Sequence, residues 1–235
     1  MFKKLLAAFS AKPKAPADAP YGTEQLNTVH HMLFADDPGQ LFGDSPDARV
    51  VQAIAQDPGE ESRVRLLASH WLRANGHALP ASELLGVIVE VPLEQGLDTL
   101  AAYADGRVRY INQTGRVAVF EGAPPEVAQQ ARMLVASAIA ACARAGVQQP
   151  SAVPGEGQLR FTFLAQDGKR MSEGYFSDIA QDALVAPVLE QAQKAARPGG
   201  QAGERPVSGA ATPCTRPIHH TANKVQPAAI RPMVS

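Results

Sequence analysis

A chain of 235 residues, 45% apolar and 19% charged, has the composition of an ordinary globular domain with enough material for a core. Its formal net charge of −1 is an average over unlike parts: residues 1–20 carry +3, residues 197–235 carry +4, and the body between them carries −8. An acidic body repels phosphate backbones, which argues against nucleic acid as a partner of the folded part. No apolar run reaches the length of a membrane-spanning helix.

Residues 1–20 read as a basic arm and a Pro/Ala linker. The apolar run Leu5–Phe9 is shorter than a secretory h-region. Phe2, Leu5, Leu6 and Phe9 recur at helical spacing beside Lys3 and Lys4, which leaves two readings of residues 2–14: contact with an anionic membrane surface, or a frayed terminus ahead of the linker. Residues 21–80 form a predicted helical subdomain. Leu26, Val29, Leu33 and Phe34 mark its first helix, stopped at Asp37-Pro38-Gly39. Ser45-Pro46 looks like a cap and first helical proline for the second. In the third, Asp57 reads as the N-cap, Pro58 as the first helical residue and Glu60 as the returning carboxylate of a capping box. Val64, Leu67, Ala68, Trp71 and Leu72 are its stripe, Arg63, Arg65 and Arg73 its solvated side, and Asn75-Gly76 its end.

At residue 81 the periodicity changes, and residues 81–196 are predicted to form an α+β domain. "LLGVIVEVPL" is a short, apolar, β-branched run typical of a buried strand. "LDTLAAYADGRVRYINQTGRVAVF" then reads as a folded-back ribbon. A two-residue turn at Asp105-Gly106 pairs Tyr103 with Val108 and Ala101 with Tyr110. A turn at Thr114-Gly115 pairs Tyr110 with Val119, and a three-residue loop with a bulge is the alternative. Neither face of this ribbon is plainly polar, so helices should cover both. One long helix after Pro124-Pro125, with Val127, Ala131, Leu134, Val135, Ala138 and Ile139 as its stripe, is the obvious cover. "QLRFTFLAQ" is a further strand, and "KRMSEGYF" after Asp167-Gly168 its return partner. A helix from Ser177-Asp178 should give way near Pro187 to another ending about Ala196. Residues 197–235 are rich in Pro, Gly and Ala without periodicity and are expected to be disordered. The predicted architecture is α+β: N-terminal helices, then an antiparallel meander of four to six strands covered by helices.

Phosphate-cradling loops, dinucleotide fingerprints, nucleophile elbows, H-E-x-x-H and C-x-x-C are all missing from the sequence. Cys142 and Cys214 lie too far apart to form a close ligand or redox pair, which fits a reducing, cytoplasmic setting. His30-His31 and Asp36-Asp37 have metal-ligating side chains, but adjacent helical residues point about 100° apart, and the plainer reading is one packed and one exposed histidine. His70 and His77 suit the end of the third helix. No metal or cofactor is expected. Glu90 interrupts an apolar strand and needs a partner; Asp98 and Arg109 are the nearest companions on the ribbon. A catalytic carboxylate pair built from Glu90 and Asp98 with Arg109 is one reading, and a structural ion pair is the other. Tyr103 and Tyr110, with Asn112 and Gln113, are the expected binding surface.

The blocks "HHMLFADD", "SRVRLLASHWLRANGH", "ELLGVIVEVPLEQGLDTLAAYADGRVRYINQTG" and "LRFTFLAQDG" resemble a family of bacterial proteins to which no activity is assigned. The likeness covers residues 26–190, is most specific in the ribbon, and weakens at "GKRMSEGYF", where the family prefers aromatic residues. It implies a bacterial cytosolic α+β protein and brings no catalytic residues. The sequence therefore supports a non-enzymatic module binding a small ligand or a protein partner. The alternative is an enzyme of unrecognised type using Glu90, Asp98 and Arg109.

Overall fold

The computed structural model describes residue 16 and residues 19–43, 46–79, 82–94, 96–120, 124–147, 149 and 152–196. The basic arm, Ser45 and the tail from residue 197 lie outside the described residues. Within them the chain begins with four helices, α1 (Glu24–Leu33), α2 (Gly39–Phe42), α3 (Ala48–Gln56) and α4 (Ser62–Ala74). Four strands follow, β1 (Leu84–Leu93), β2 (Gly96–Tyr103), β3 (Val108–Ile111) and β4 (Val117–Phe120). Then come α5 (Pro125–Ser137), α6 (Ile139–Arg144), β5 (Gln158–Ala165), β6 (Gly168–Tyr175), α7 (Phe176–Gln181) and α8 (Ala186–Ala195).

The six strands form one antiparallel sheet in the order β4-β3-β2-β1-β5-β6. β1 is central, which explains its unbroken apolar run: Leu85 to Glu90 are all buried, and helices lie on both sides. One face packs Val87, Val89, Leu100, Phe161 and Phe163 against α5 and α8 through Leu134, Val135, Val188 and Leu189. The opposite face packs Leu85, Ile88, Ala101, Tyr103 and Ile111 against Leu33 of α1 and Leu66 of α4. Gly86 lets the strand pack closely on this face, since a Cβ there would lie 3.0 Å from the Tyr103 ring and 3.2 Å from Leu164 and both side chains would have to give way.

The ribbon departs from the expected register by one residue. Thr99 faces Ile111, Leu100 faces Tyr110 and Ala102 faces Val108. The loop has three residues: Tyr103 N donates to Arg107 O at 3.0 Å, Gly106 N donates to Tyr103 O at 2.9 Å, and Gly106 alone takes positive φ, at 93°. Asp105 explains why. Its carboxylate accepts from Arg107 N at 2.9 Å and from Ser62 N at 2.8 Å, so it is held in a side-chain turn. The second hairpin takes the three-residue alternative, closed by Asn112 N donating to Arg116 O at 2.9 Å; Asn112 Oδ1 accepts from Thr114 N and Arg116 N, and Gly115 has φ 80°. A one-residue slip exchanges faces. Tyr110 therefore lies with Leu100 and Ala102 instead of with Ala101 and Tyr103, while the second slip returns Val117 and Val119 to the side already expected of them.

Three helical expectations are also corrected. α4 starts at Ser62 instead of Pro58, since Asp57 is spent accepting from Gly59 N, and the helix is capped by Asp105 from forty-three residues away, with Asp105 N donating back to Ser62 Oγ. Arg65 is buried instead of solvated; its Nε donates to Ala55 O and its Nη2 to Glu83 Oε2 at 2.6 Å, which joins α4 to α3 and to the entry of β1. The helix after Pro125 ends at Ser137, and Ile139 opens α6 at 60% exposure instead of extending the stripe.

Candidate functional site

Glu90 lies at the centre of the sheet, where the register places Thr99 of β2 on one side and Arg160 of β5 on the other. Arg160 Nη1 is 3.4 Å from Glu90 Oε2 and its Nε donates to Glu173 Oε2 of β6 at 2.8 Å. From α1, His30 Nε2 stands 3.2 Å from Glu90 Oε1. Beside it, Tyr21 Oη and Thr99 Oγ1 share a hydrogen bond of 2.8 Å, and burial drives the Tyr21 phenol well above its ordinary pKa. His30, Glu90 and Arg160 are exposed by only 1%, 1% and 2%. They present almost no surface to solvent. This row pins α1 and four strands together, and its paired charges offset part of the large cost of taking each ion out of water.

Asp98 is on the other face. Its Oδ2 accepts from Tyr110 Oη at 2.5 Å and its Oδ1 from Gln113 N at 2.6 Å. Burial and the adjacent carboxylate both push the Tyr110 phenol up. The pair borders a cavity of about 110 Å³ under α8, walled by Val89, Leu100, Leu189 and Ala192. That is smaller than the roughly 150 Å³ cavity known to admit benzene. Of the residues singled out in the sequence, Asp98, Tyr110 and Gln113 are brought together here. Glu90 and Asp98 lie on opposite faces of the sheet. Arg109 points to the α4 side, 5.6 Å from the Tyr103 ring centre and 3.6 Å from Glu61. Tyr103 is fully buried, donates to Leu33 O at 2.8 Å, and has its phenol pushed up to about 12 by burial; it does not meet Tyr110, because the register slip puts them on opposite faces. Asn112 is spent on its turn.

A larger concavity lies on the helical side, between α1, α2 and α4. It holds about 460 Å³, with Met32, Ala35, Leu41 and Leu67 as apolar lining and Thr28, His31, Asp36, Asp37 and Arg63 as polar lining. Local chemistry explains how it stays open. α1 stops at Leu33, and Ala35 takes positive φ, 51°, an unusual conformation for a side chain other than glycine's. Ala35 is only 5% exposed, within the cluster of Leu33, Leu66 and Tyr103, and this packing offsets the strain. The chain then turns outward. Asp37 Oδ1 accepts from Gly39 N at 3.1 Å at the start of α2, and Asp36 is tied to Lys169 of β6 at 2.5 Å. Arg63 donates through Nε and Nη2 to Met32 O, fastening α4 to the end of α1. Met32 and Leu41 are left 50% and 49% exposed on the rim.

Comparison with known proteins adds no relative: no protein-family model, no curated protein and no solved structure matches this chain.

His30 and His31 behave as the helix spacing demands, one buried against Glu90 and one exposed at the groove. Among the described residues no three His, Cys, Asp or Glu side chains are grouped to hold a metal. The groove itself was missed in the sequence. Its only local trace is the paired "HHMLFADD", where large apolar residues sit beside acidic ones at a helix end.

Proposed function

We propose that this chain is a non-enzymatic binding protein and that the groove between α1, α2 and α4 receives a small molecule with an apolar body and a polar end. The observation that carries the reading is the groove's size and lining. About 460 Å³ lies within the roughly 300–1,000 Å³ usual for small-ligand sites, which are mostly apolar with a few placed polar groups. Its polar groups are largely held by other contacts, as the Arg63–Met32 and Asp36–Lys169 bonds illustrate, so affinity would come from burying apolar surface against Met32, Leu41 and Leu67. Methionine on the rim suits a site that adapts to its ligand. The strained Ala35 in its floor is the kind of local cost that clusters at ligand clamps.

The alternative, an enzyme using Glu90, Asp98 and Arg109, finds no support in their placement on opposite faces and in separate bonds.

The test uses 8-anilinonaphthalene-1-sulfonate, an apolar fluorophore with one anionic end. The full chain should bind it saturably, and Thr28→Trp, which fills the groove from an exposed helical position, should abolish that binding without lowering the melting temperature. Undiminished binding by the folded Thr28→Trp variant would remove the proposal.

A further inference from the structure

The two edges of the sheet are finished differently. β6 is met by Gly146, whose carbonyl accepts from Met171 N at 3.1 Å. It also carries Lys169, Arg170 and Glu173, and charge on an edge strand discourages addition of another. Beyond β4 there is no further strand or bridge among the described residues. Val117–Phe120 contains no charge and no proline, and pairs with β3 without a bulge. Val117 and Val119 are 42% and 51% exposed. The hydrogen-bond alternation is set by Asn112 N donating to Arg116 O at 2.9 Å. Arg116, Ala118 and Phe120 thus bond toward β3, and the N–H and C=O groups of Val117 and Val119 are directed away from the sheet.

We propose that β4 is the contact through which two copies of this chain pair, antiparallel, about a two-fold axis at Ala118. In that register Val117 of each copy lies opposite Val119 of its partner, and each such pair exchanges both of its outward N–H···O=C bonds. The valines form β-branched cross-strand pairs on one face, and Arg116 lies opposite Phe120 on the other, within reach of a guanidinium–ring contact. The two-fold brings the same patch of each copy together, so the Val117–Val119 pair occurs twice, once on each side of Ala118. A two-fold contact at β4 uses up that edge in both copies, and the Gly146 bridge and the charges of β6 disfavour growth from the other edge. So short an edge gives a small interface of the transient class, which forms and dissociates with concentration.

Sedimentation velocity of the full chain across a concentration series tests this. The dilute chain should sediment as a monomer and shift to a discrete dimer as concentration rises. Val117→Lys/Val119→Lys should stay monomeric throughout with an unchanged melting temperature, and Val119→Thr, which keeps the β-branch, should still dimerise. A chain that is monomeric at every concentration overturns the proposal, as does an open-ended series of larger species or a dimer unaffected by the lysines. Should the lysine variant melt early, hydrogen exchange on the unaltered chain decides. Protection of the Val117 and Val119 amides that rises with concentration supports pairing, and protection that does not change refutes it.

Discussion

Replacing Glu90 by alanine tests the buried row most severely. Glu90 is 1% exposed and accepts from both Arg160 and His30; without it the Arg160 guanidinium, 2% exposed, keeps only Glu173 and the Ala152 carbonyl. Removing one partner of a buried pair costs about 3–5 kcal/mol, and the remaining Glu173 contact places the expected loss near the bottom of that range, about 3 kcal/mol. Set against a whole-domain stability of about 5–15 kcal/mol, this is a large fraction. In equilibrium urea unfolding the midpoint should fall by roughly 1–2 M with little change in slope. The companion double substitution, Glu90→Met with Arg160→Met, should recover part of the loss, because neither member of that pair is left charged and alone, while His30 loses its acceptor and the partly exposed Glu173 turns to water. Two results would refute the reasoning: a loss under about 1 kcal/mol for Glu90→Ala, or a double variant whose cost is the sum of the two single ones.

Other outcomes follow from individual contacts. Asp105→Ala removes the cap of α4 and the side-chain turn of the first hairpin together, and should cost about 1–2 kcal/mol by chemical denaturation, with amide exchange accelerated at Ser62 and Arg107. Tyr103→Phe leaves the Leu33 carbonyl without its buried donor and should lower stability by about 1–3 kcal/mol, whereas a surface tyrosine would be neutral. Burial, aided by Arg73, holds the His70 imidazole below its ordinary pKa, so the folded state takes up its proton less readily than the unfolded chain. The resulting stability is present above the unfolded value of about 6.5 and is lost as pH falls through the folded one; denaturation titrations should show this slope in the native chain and lose it in His70→Gln.

The architecture was legible because its signals are local. The β-branched run of β1, the punctuation at Asp105-Gly106 and Thr114-Gly115, and the proline-led α5 each depend on neighbouring residues only. Register was not legible in the same way. Asp-Gly favours a two-residue turn in isolation, but here Asp105 also binds Ser62, a partner forty-three residues earlier that only the folded chain supplies. The three-residue loop that Asp105 closes puts Tyr110 on the face of Leu100, and with it decides which candidate residues meet. Glu90 announced itself as a carboxylate in need of a partner, yet Arg160 is seventy residues distant and reaches it only because β5 inserts beside β1. Arg65 looked solvated because helical periodicity cannot reveal a carbonyl offered by α3. The groove depends on how three helices meet, and no local pattern encodes that.

Mapping amide chemical shifts while the fluorophore is titrated into the isotopically labelled full chain tests the binding site most directly. Perturbations should concentrate at Thr28, Met32, Ala35, Leu41 and Leu67. Shifts centred instead on Asp98, Tyr110 and Leu189, or none at saturating dye, would contradict the assignment of the groove as the ligand site.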